Sequence, residues 1–195
     1  MEQQSEEGTI ELLYGDESRV SEQGYVPYGW QFADEQVAIE VSKGKGLNCF
    51  ALLSRSNELL YQTTTQNITA DFVIEQLDQL SVGLKKPTVV VLDNARVHTA
   101  AKLKACLQAW QGRGLYVFYL PPYCPHLNIA ERLWKELKAR WLRPKDYLTA
   151  DTLFYAVTLA LEAVGKDLCI QFSKFGSTGN CVALNSGFHE RTRSH

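Results

Sequence analysis

Residues 88–98 read Thr-Val-Val-Val-Leu-Asp-Asn-Ala-Arg-Val-His. Four successive apolar residues, three of them β-branched, suit a short strand buried on both faces, and Asp93-Asn94 ends it. Downstream, Leu103, Cys106, Leu107 and Trp110 share one face of a helix expected over residues 99–110. Gly112 and Gly114 close that helix, and Leu115–Leu120 reads as a second buried strand. After Pro121-Pro122, helices are expected from about Ile129 to Trp141 and from Thr152 to Val164, the latter ended by Gly165. Upstream, the short runs Ile10–Tyr14, Val37–Val41, Asn48–Leu53 and Leu59–Thr65 read as strands. Tight turns such as Gly44-Lys45-Gly46 and Arg55-Ser56-Asn57 join them. Thr69 then reads as the N-cap of a helix carrying Phe72, Val73, Leu77 and Leu80, stopped at Lys86-Pro87. Strands in succession, then strand–helix alternation, predict an α/β fold: a mixed sheet with its first three strands antiparallel, flanked by helices.

The chain has 195 residues, enough for one domain able to bury roughly 70% of its unfolded surface without disulfides or a structural metal. Residues 1–8 form an acidic lead, 9–170 the domain, and 171–195 a tail rich in Ser, Gly, Thr and Asn that is expected to be poorly ordered. A net charge of −2 excludes uniform basicity, though not a local basic patch. Residues 1–17 hold six acids and no Lys or Arg, unlike a secretory signal. The longest apolar run, Leu153–Val164, is too short for a bilayer, so no membrane partner is expected. Cys49, Cys106, Cys124, Cys169 and Cys181 contain no CxxC pair, which suits a reducing cytosol over a zinc ribbon or disulfide framework. The turn Lys43–Gly46 lacks the spacing of a nucleotide-phosphate loop.

Three acids fall where such an architecture presents side chains: Asp16 after the first strand, Asp93 after a buried strand, and Glu131 at the start of a helix. Together they would form a hard, oxygen-only ligand set suited to Mg²⁺ or Mn²⁺. Two such ions ~4 Å apart activate a water or 3′-hydroxyl and stabilise the leaving oxygen of a phosphodiester. An empty cluster should repel itself, so Asp93→Asn is expected to relieve strain in the metal-free protein. Each acid has a plainer reading. Asp93-Asn94 suits a turn, Asn128 and Glu131 suit a capping box, and Asp16 suits a solvated turn.

The words Leu13-Tyr14-Gly15-Asp16-Glu17, Leu92-Asp93-Asn94 through His98, and Leu120–Tyr123 with Pro125, Leu127, Asn128, Glu131 and Trp134 resemble the catalytic domain of mariner-superfamily DDE transposases and bacterial insertion-sequence relatives. Pro27–Trp30 resembles the region after that family's first acid. Cys124, His126 and Ile129-Ala130 depart from its third-acid word without removing a carboxylate. The resemblance implies a ribonuclease H-like fold, metal-dependent DNA cleavage and strand transfer at transposon ends, and Asp16, Asp93 and Glu131 as catalytic metal ligands for two Mg²⁺ or Mn²⁺ ions. It also implies DNA and a homodimer, or a partner bearing the family's helix-turn-helix module, as partners, and the bacterial cytosol as the location. Only fifteen residues precede Asp16, so the chain reads as the catalytic half without that module. The alternatives are a non-enzymatic inhibitor or assembly partner of a complete transposase, and a stand-alone ribonuclease H-like nuclease.

Local charge supports a nucleic-acid face. Arg132, Lys135, Lys138 and Arg140 follow Glu131, with Lys135 and Lys138 sharing its face at i+4 and i+7, while Trp134 and Trp141 are expected in the core. The same face also reads as an ordinary solvated one. Asn94, His98 and Asn128 are expected as supporting residues, His98 bracing the Asp93 loop or touching a phosphate rather than acting as a general base.

Overall fold

The computed structural model describes residues 1–22, 44–122, 124 and 127–172. The expected strand Val37–Val41, the Pro27–Trp30 word and the tail from residue 173 lie outside them. In chain order the elements are α1 (Glu2–Glu6), β1 (Glu11–Ser21), β2 (Gly46–Leu53), β3 (Leu59–Thr64), α2 (Ala70–Val82), β4 (Thr88–Leu92), α3 (Ala101–Gly112), β5 (Leu115–Tyr119), α4 (Ala130–Glu136) and α5 (Ala150–Ala163). A π-helical turn, Leu137–Trp141, continues α4, and a 3-10 turn, Pro144–Tyr147, precedes α5.

The described strands form one mixed sheet in the order β3-β2-β1-β4-β5. The first three pair antiparallel, as the sequence predicts, and β1, β4 and β5 run parallel. All eight residues of β2 are buried because both of its faces are covered. Its odd positions Cys49, Ala51 and Leu53 join Leu133, Leu137, Leu153 and Val157 in a core beneath α4 and α5. Its even positions Phe50 and Leu52 join Val73, Leu77, Leu103 and Trp110 in a second core beneath α2 and α3. This is the two-residue strand period. Each fully buried Leu contributes about 1.5–3 kcal/mol.

Local signals set several boundaries. Thr69 caps α2, its side chain accepting from Phe72 N at 3.3 Å, and Thr149 caps α5 through Thr152 N at 3.2 Å. Gly165 ends that region at φ +77°, and a Cβ there would lie 2.4 Å from Asn57 O. Two helices differ from the sequence reading. α3 starts at Ala101 without a side-chain cap, so His98 lies in the turn before it. The helix expected over Ile129–Trp141 is α-helical only to Glu136. Its last turn widens, Leu142 N donating to Leu137 O at 3.0 Å, and both of these leucines remain in the core. Among the described residues no helix is long and apolar enough to cross a membrane.

Candidate functional site

Register brings the first two acids together. β1 and β4 pair in parallel up to Tyr14 opposite Val91. Asp16 and Asp93 therefore each stand two residues beyond the last registered pair. β1 continues past that point along β2, with Asp16 opposite Ala51, whereas β4 ends at Leu92. Gly15 is required by packing here: a Cβ would lie 2.5 Å from a Leu92 methyl carbon and 3.0 Å from a Leu52 one.

The loop after β4 is tied at several points. Asp93 Oδ1 accepts from Ala95 N at 2.9 Å and lies 2.7 Å from His98 Nδ1. Asn94 Nδ2 donates to Leu120 O at 2.6 Å, joining the ends of β4 and β5. Tyr119 Oη donates to His98 O at 2.9 Å. Asn94 and His98 thus tie the Asp93 loop to its neighbours.

Glu131 arrives on α4, which packs back over β1. Asn128 Nδ2 donates to Gly15 O at 3.0 Å, and its Oδ1 accepts from Ala130 N at 3.1 Å. Asn128 is therefore a clamp between α4 and the strand carrying Asp16. The capping-box reading holds only on the Asn128 side: its Oδ1 takes the first amide of α4, but the helix begins after Ile129, so Glu131 stands at its second position rather than its third. Trp134, on the core side of α4, donates from Nε1 to Asp16 Oδ2 at 3.1 Å. Sequence periodicity places Trp134 in the core but does not reveal this bond. Glu131 itself is exposed.

The acids act on one another. Burial pushes Asp16 up to about 7, and the negative charges of Glu17, Asp93 and Glu131 add to the rise, against a backbone N–H from Glu17. Asp93 moves the other way: its bond to His98 outweighs burial and holds it below the usual carboxylate range, aided by Ala95 N–H. Asp93→Asn would remove one of the charges that raise Asp16 but would also give up the carboxylate's bond to His98, so the expected relief of repulsion is set against the loss of that bond. Burial opposes charge on His98, but the hydrogen bond to Asp93 and the negative charges of Glu17 and Asp93 prevail and raise it to about 9.

The donor chemistry fits hard divalent cations, being carboxylate oxygen throughout. Among the described residues, no three His, Cys, Asp or Glu side chains already stand as a chelate. Ion binding would therefore have to draw the acids inward.

The basic segment is divided. Buried Glu136 takes Arg132 Nε at 3.1 Å on Oε1 and Arg140 Nη1 at 3.2 Å on Oε2. Lys135 is exposed. Lys138, which helical spacing places on the face of Glu131, lies on the π-helical turn and is half-buried near Cys49 and Asp16. Burial lowers its pKa, against the charges of those two groups. Both pairs of Glu136 are at i,i+4, the spacing at which helical side chains meet.

The family model for DDE superfamily endonucleases matches residues 11–153, a span that includes all three acids. Among solved structures, the catalytic core domain of BIV integrase aligns with a TM-score of 0.50 at 17% identity, covering 82% of this chain and 86% of that one. A pre-cleavage Mos1 transpososome aligns at 0.56 and 14% identity, covering 85% and 56%. A simian T-cell lymphotropic virus intasome aligns at 0.51 and 14%, covering 87% and 60%. These likenesses show a ribonuclease H-like fold of the integrase and transposase type. The chain spans little more than half of the Mos1 chain. No curated protein sequence matches it.

Proposed function

The chain belongs to the DDE superfamily of endonucleases, and from that premise we propose that it is the catalytic domain of a transposase, cleaving DNA and transferring strands at transposon ends. The observation that carries this reading is geometric: Asp16 and Asp93 stand level past the Tyr14–Val91 pair, and Asn128 and Trp134 tie α4, which bears Glu131, to Gly15 and Asp16. A carboxylate pushed up to about 7 by burial and like charge is costly unless a cation uses it.

Asp16, Asp93 and Glu131 would hold Mg²⁺ or Mn²⁺, which when bound supplies charge stabilisation to a phosphodiester under attack. Trp134 fixes one oxygen of Asp16, and the His98 turn fixes one oxygen of Asp93. In the reaction, water adds to phosphorus and the 3′-oxygen leaves with a proton. The freed 3′-hydroxyl then gives up its proton and attacks the phosphorus of a second phosphodiester, whose own 3′-oxygen leaves with a proton, with no covalent enzyme intermediate. Exposed Lys135 and the outer face of Arg132 offer charge to the phosphates nearest Glu131. Recognition of one terminal repeat, and pairing of two ends by a dimer, are assigned to segments or copies beyond this domain. The catalytic domain by itself should bind DNA through phosphate contacts, with little sequence preference and with affinity falling as salt rises.

The test compares parent, Glu131→Gln and Asp93→Asn in EDTA and in Mn²⁺, beside nicking of supercoiled plasmid. Ion at a hundred times its dissociation constant should stabilise the parent by about 2.7 kcal/mol. Glu131→Gln changes an exposed side chain, so it should fold normally in EDTA yet lose most of that gain and all nicking. An equal metal response in all three proteins would sink the three-acid site.

A further inference from the structure

Pleating sends Asp16 and Glu17 to opposite faces of β1. Asp16 meets Trp134 on the α4 side. Glu17 meets His98, which is wholly buried with its ring edge-to-face against Phe50, centroids 6.4 Å apart. His98 lies between two carboxylates: Nδ1 is 2.7 Å from Asp93 Oδ1 and Nε2 is 3.1 Å from Glu17 Oε2. The latter contact has the distance of an ion pair but not the alignment of a hydrogen bond. Both atoms are buried, and neither has a hydrogen-bond partner among the described residues. A buried polar atom without a partner costs about 1–3 kcal/mol, so this ring and this carboxylate depend on each other.

The backbone around the ring is fixed as well. Tyr119 Oη holds His98 O, and Asn94 holds the end of β5. The imidazole is thus a strut between β1 and the β4 loop. One end bears on Asp93, whose side chain is 45% exposed, and the other on Glu17. A carboxylate with Oδ1 engaged in two hydrogen bonds cannot turn that oxygen outward without breaking both.

We propose that Glu17 is a positioning residue: through His98 it commits Asp93 Oδ1 to the protein and so leaves Oδ2 as the oxygen presented to the site. This rests on reading Asp93 as a metal-facing acid. Glu17 touches no reacting group itself, and its influence passes through the ring. Partners that orient metal ligands typically alter metal affinity by 10–100-fold when removed.

The experiment measures Mn²⁺ affinity and, in the metal-free protein, the imidazole ¹H–¹⁵N signals of His98, for the parent, Glu17→Ala, Glu17→Gln, His98→Asn and the Glu17→Ala/His98→Asn double variant. Glu17→Gln keeps volume and an acceptor for Nε2–H, so its Mn²⁺ affinity should stay within about threefold of the parent. Glu17→Ala should weaken Mn²⁺ about tenfold or more and abolish the protected Nδ1–H signal facing Asp93. The double variant should bind no more weakly than His98→Asn alone, because Glu17 acts only through the ring. Parental Mn²⁺ affinity in Glu17→Ala with both ring signals intact would overturn the proposal, as would additive losses in the double variant. If the parent binds no Mn²⁺, the metal-site reading fails. The metal-free spectra then decide the strut: an unchanged Nδ1–H signal in Glu17→Ala overturns it, and a lost one supports it.

Discussion

The loop behind β4 holds Asp93 by hydrogen bonds, whereas α4 holds Glu131 by apolar packing and leaves its carboxylate in solvent. Asp93 accepts from Ala95 N and His98, and the turn is tied by Asn94 and Tyr119. α4 has no side-chain cap, and its position comes from Leu133, Trp134 and Leu137 in the core and from the Asn128 clamp. The difference separates two ways of placing an acid. A hydrogen-bonded loop fixes which oxygen points where; a packed helix fixes where the side chain starts and lets its end move. A site with one committed acid and one mobile acid can close on a ligand without rebuilding its scaffold.

Packing should therefore show the largest stability effect. Leu133→Ala removes a wholly buried side chain under α4 and should cost about 2–5 kcal/mol in urea unfolding. A loss below about 1 kcal/mol would mean that Asn128, rather than the core, holds the helix.

Next in size is the charge on Asp16. Its folded value of about 7 lies above the ordinary 3.8, so the unfolded chain ionises first. The stability associated with its protonated form is complete below about 4 and is lost as pH rises to about 7. In EDTA at pH 7–8, Asp16→Asn should therefore stabilise the protein by about 1–3 kcal/mol after solvent screening and flatten the pH 4–7 limb of a melting profile. The limb belonging to His98 should survive, because that group is raised from 6.5 to about 9 and gives stability below 6.5 that fades as pH climbs through 9. An Asp16→Asn protein with the parent's pH 4–7 slope would break the assignment.

Asn94→Ala tests the loop more locally. Losing the tie to Leu120 O should cost about 1–2 kcal/mol and speed hydrogen exchange at Ala95 and His98, while amides in α4 keep their protection. Spread of the change into α4 would show that the two acids share one support.

The smallest effect is expected at Arg140, whose side chain is 72% exposed. Arg140→Ala should alter stability by less than about 1 kcal/mol. If it reaches a phosphate, the slope of log affinity for DNA against log salt should fall by about 1. An unchanged slope would mean that Glu136 occupies it fully.

The words around Asp93 and Glu131 are local, and so was much of what they implied. β4 matches the expected Thr88–Leu92, and α2 begins after the expected Thr69 cap. The course of α4 was less legible, because the π-helical turn answers to where Leu137 and Leu142 can both reach the core. Helical spacing assumes a constant 3.6 residues per turn and so does not foresee a widened last turn.

By itself, the sequence determined most of the described element types, a mixed sheet with its first three strands antiparallel, and the identity of three candidate acids, since periodicity, caps and motif words are carried by neighbouring residues. Only the tertiary structure decided that Asp16 and Asp93 stand level past Val91, that Trp134 holds Asp16, and that Glu17 reaches His98 through the other face of β1. Those facts depend on which strand lies beside which and in what register. Alternation along a strand says that two neighbours face apart; it does not say what waits on either side.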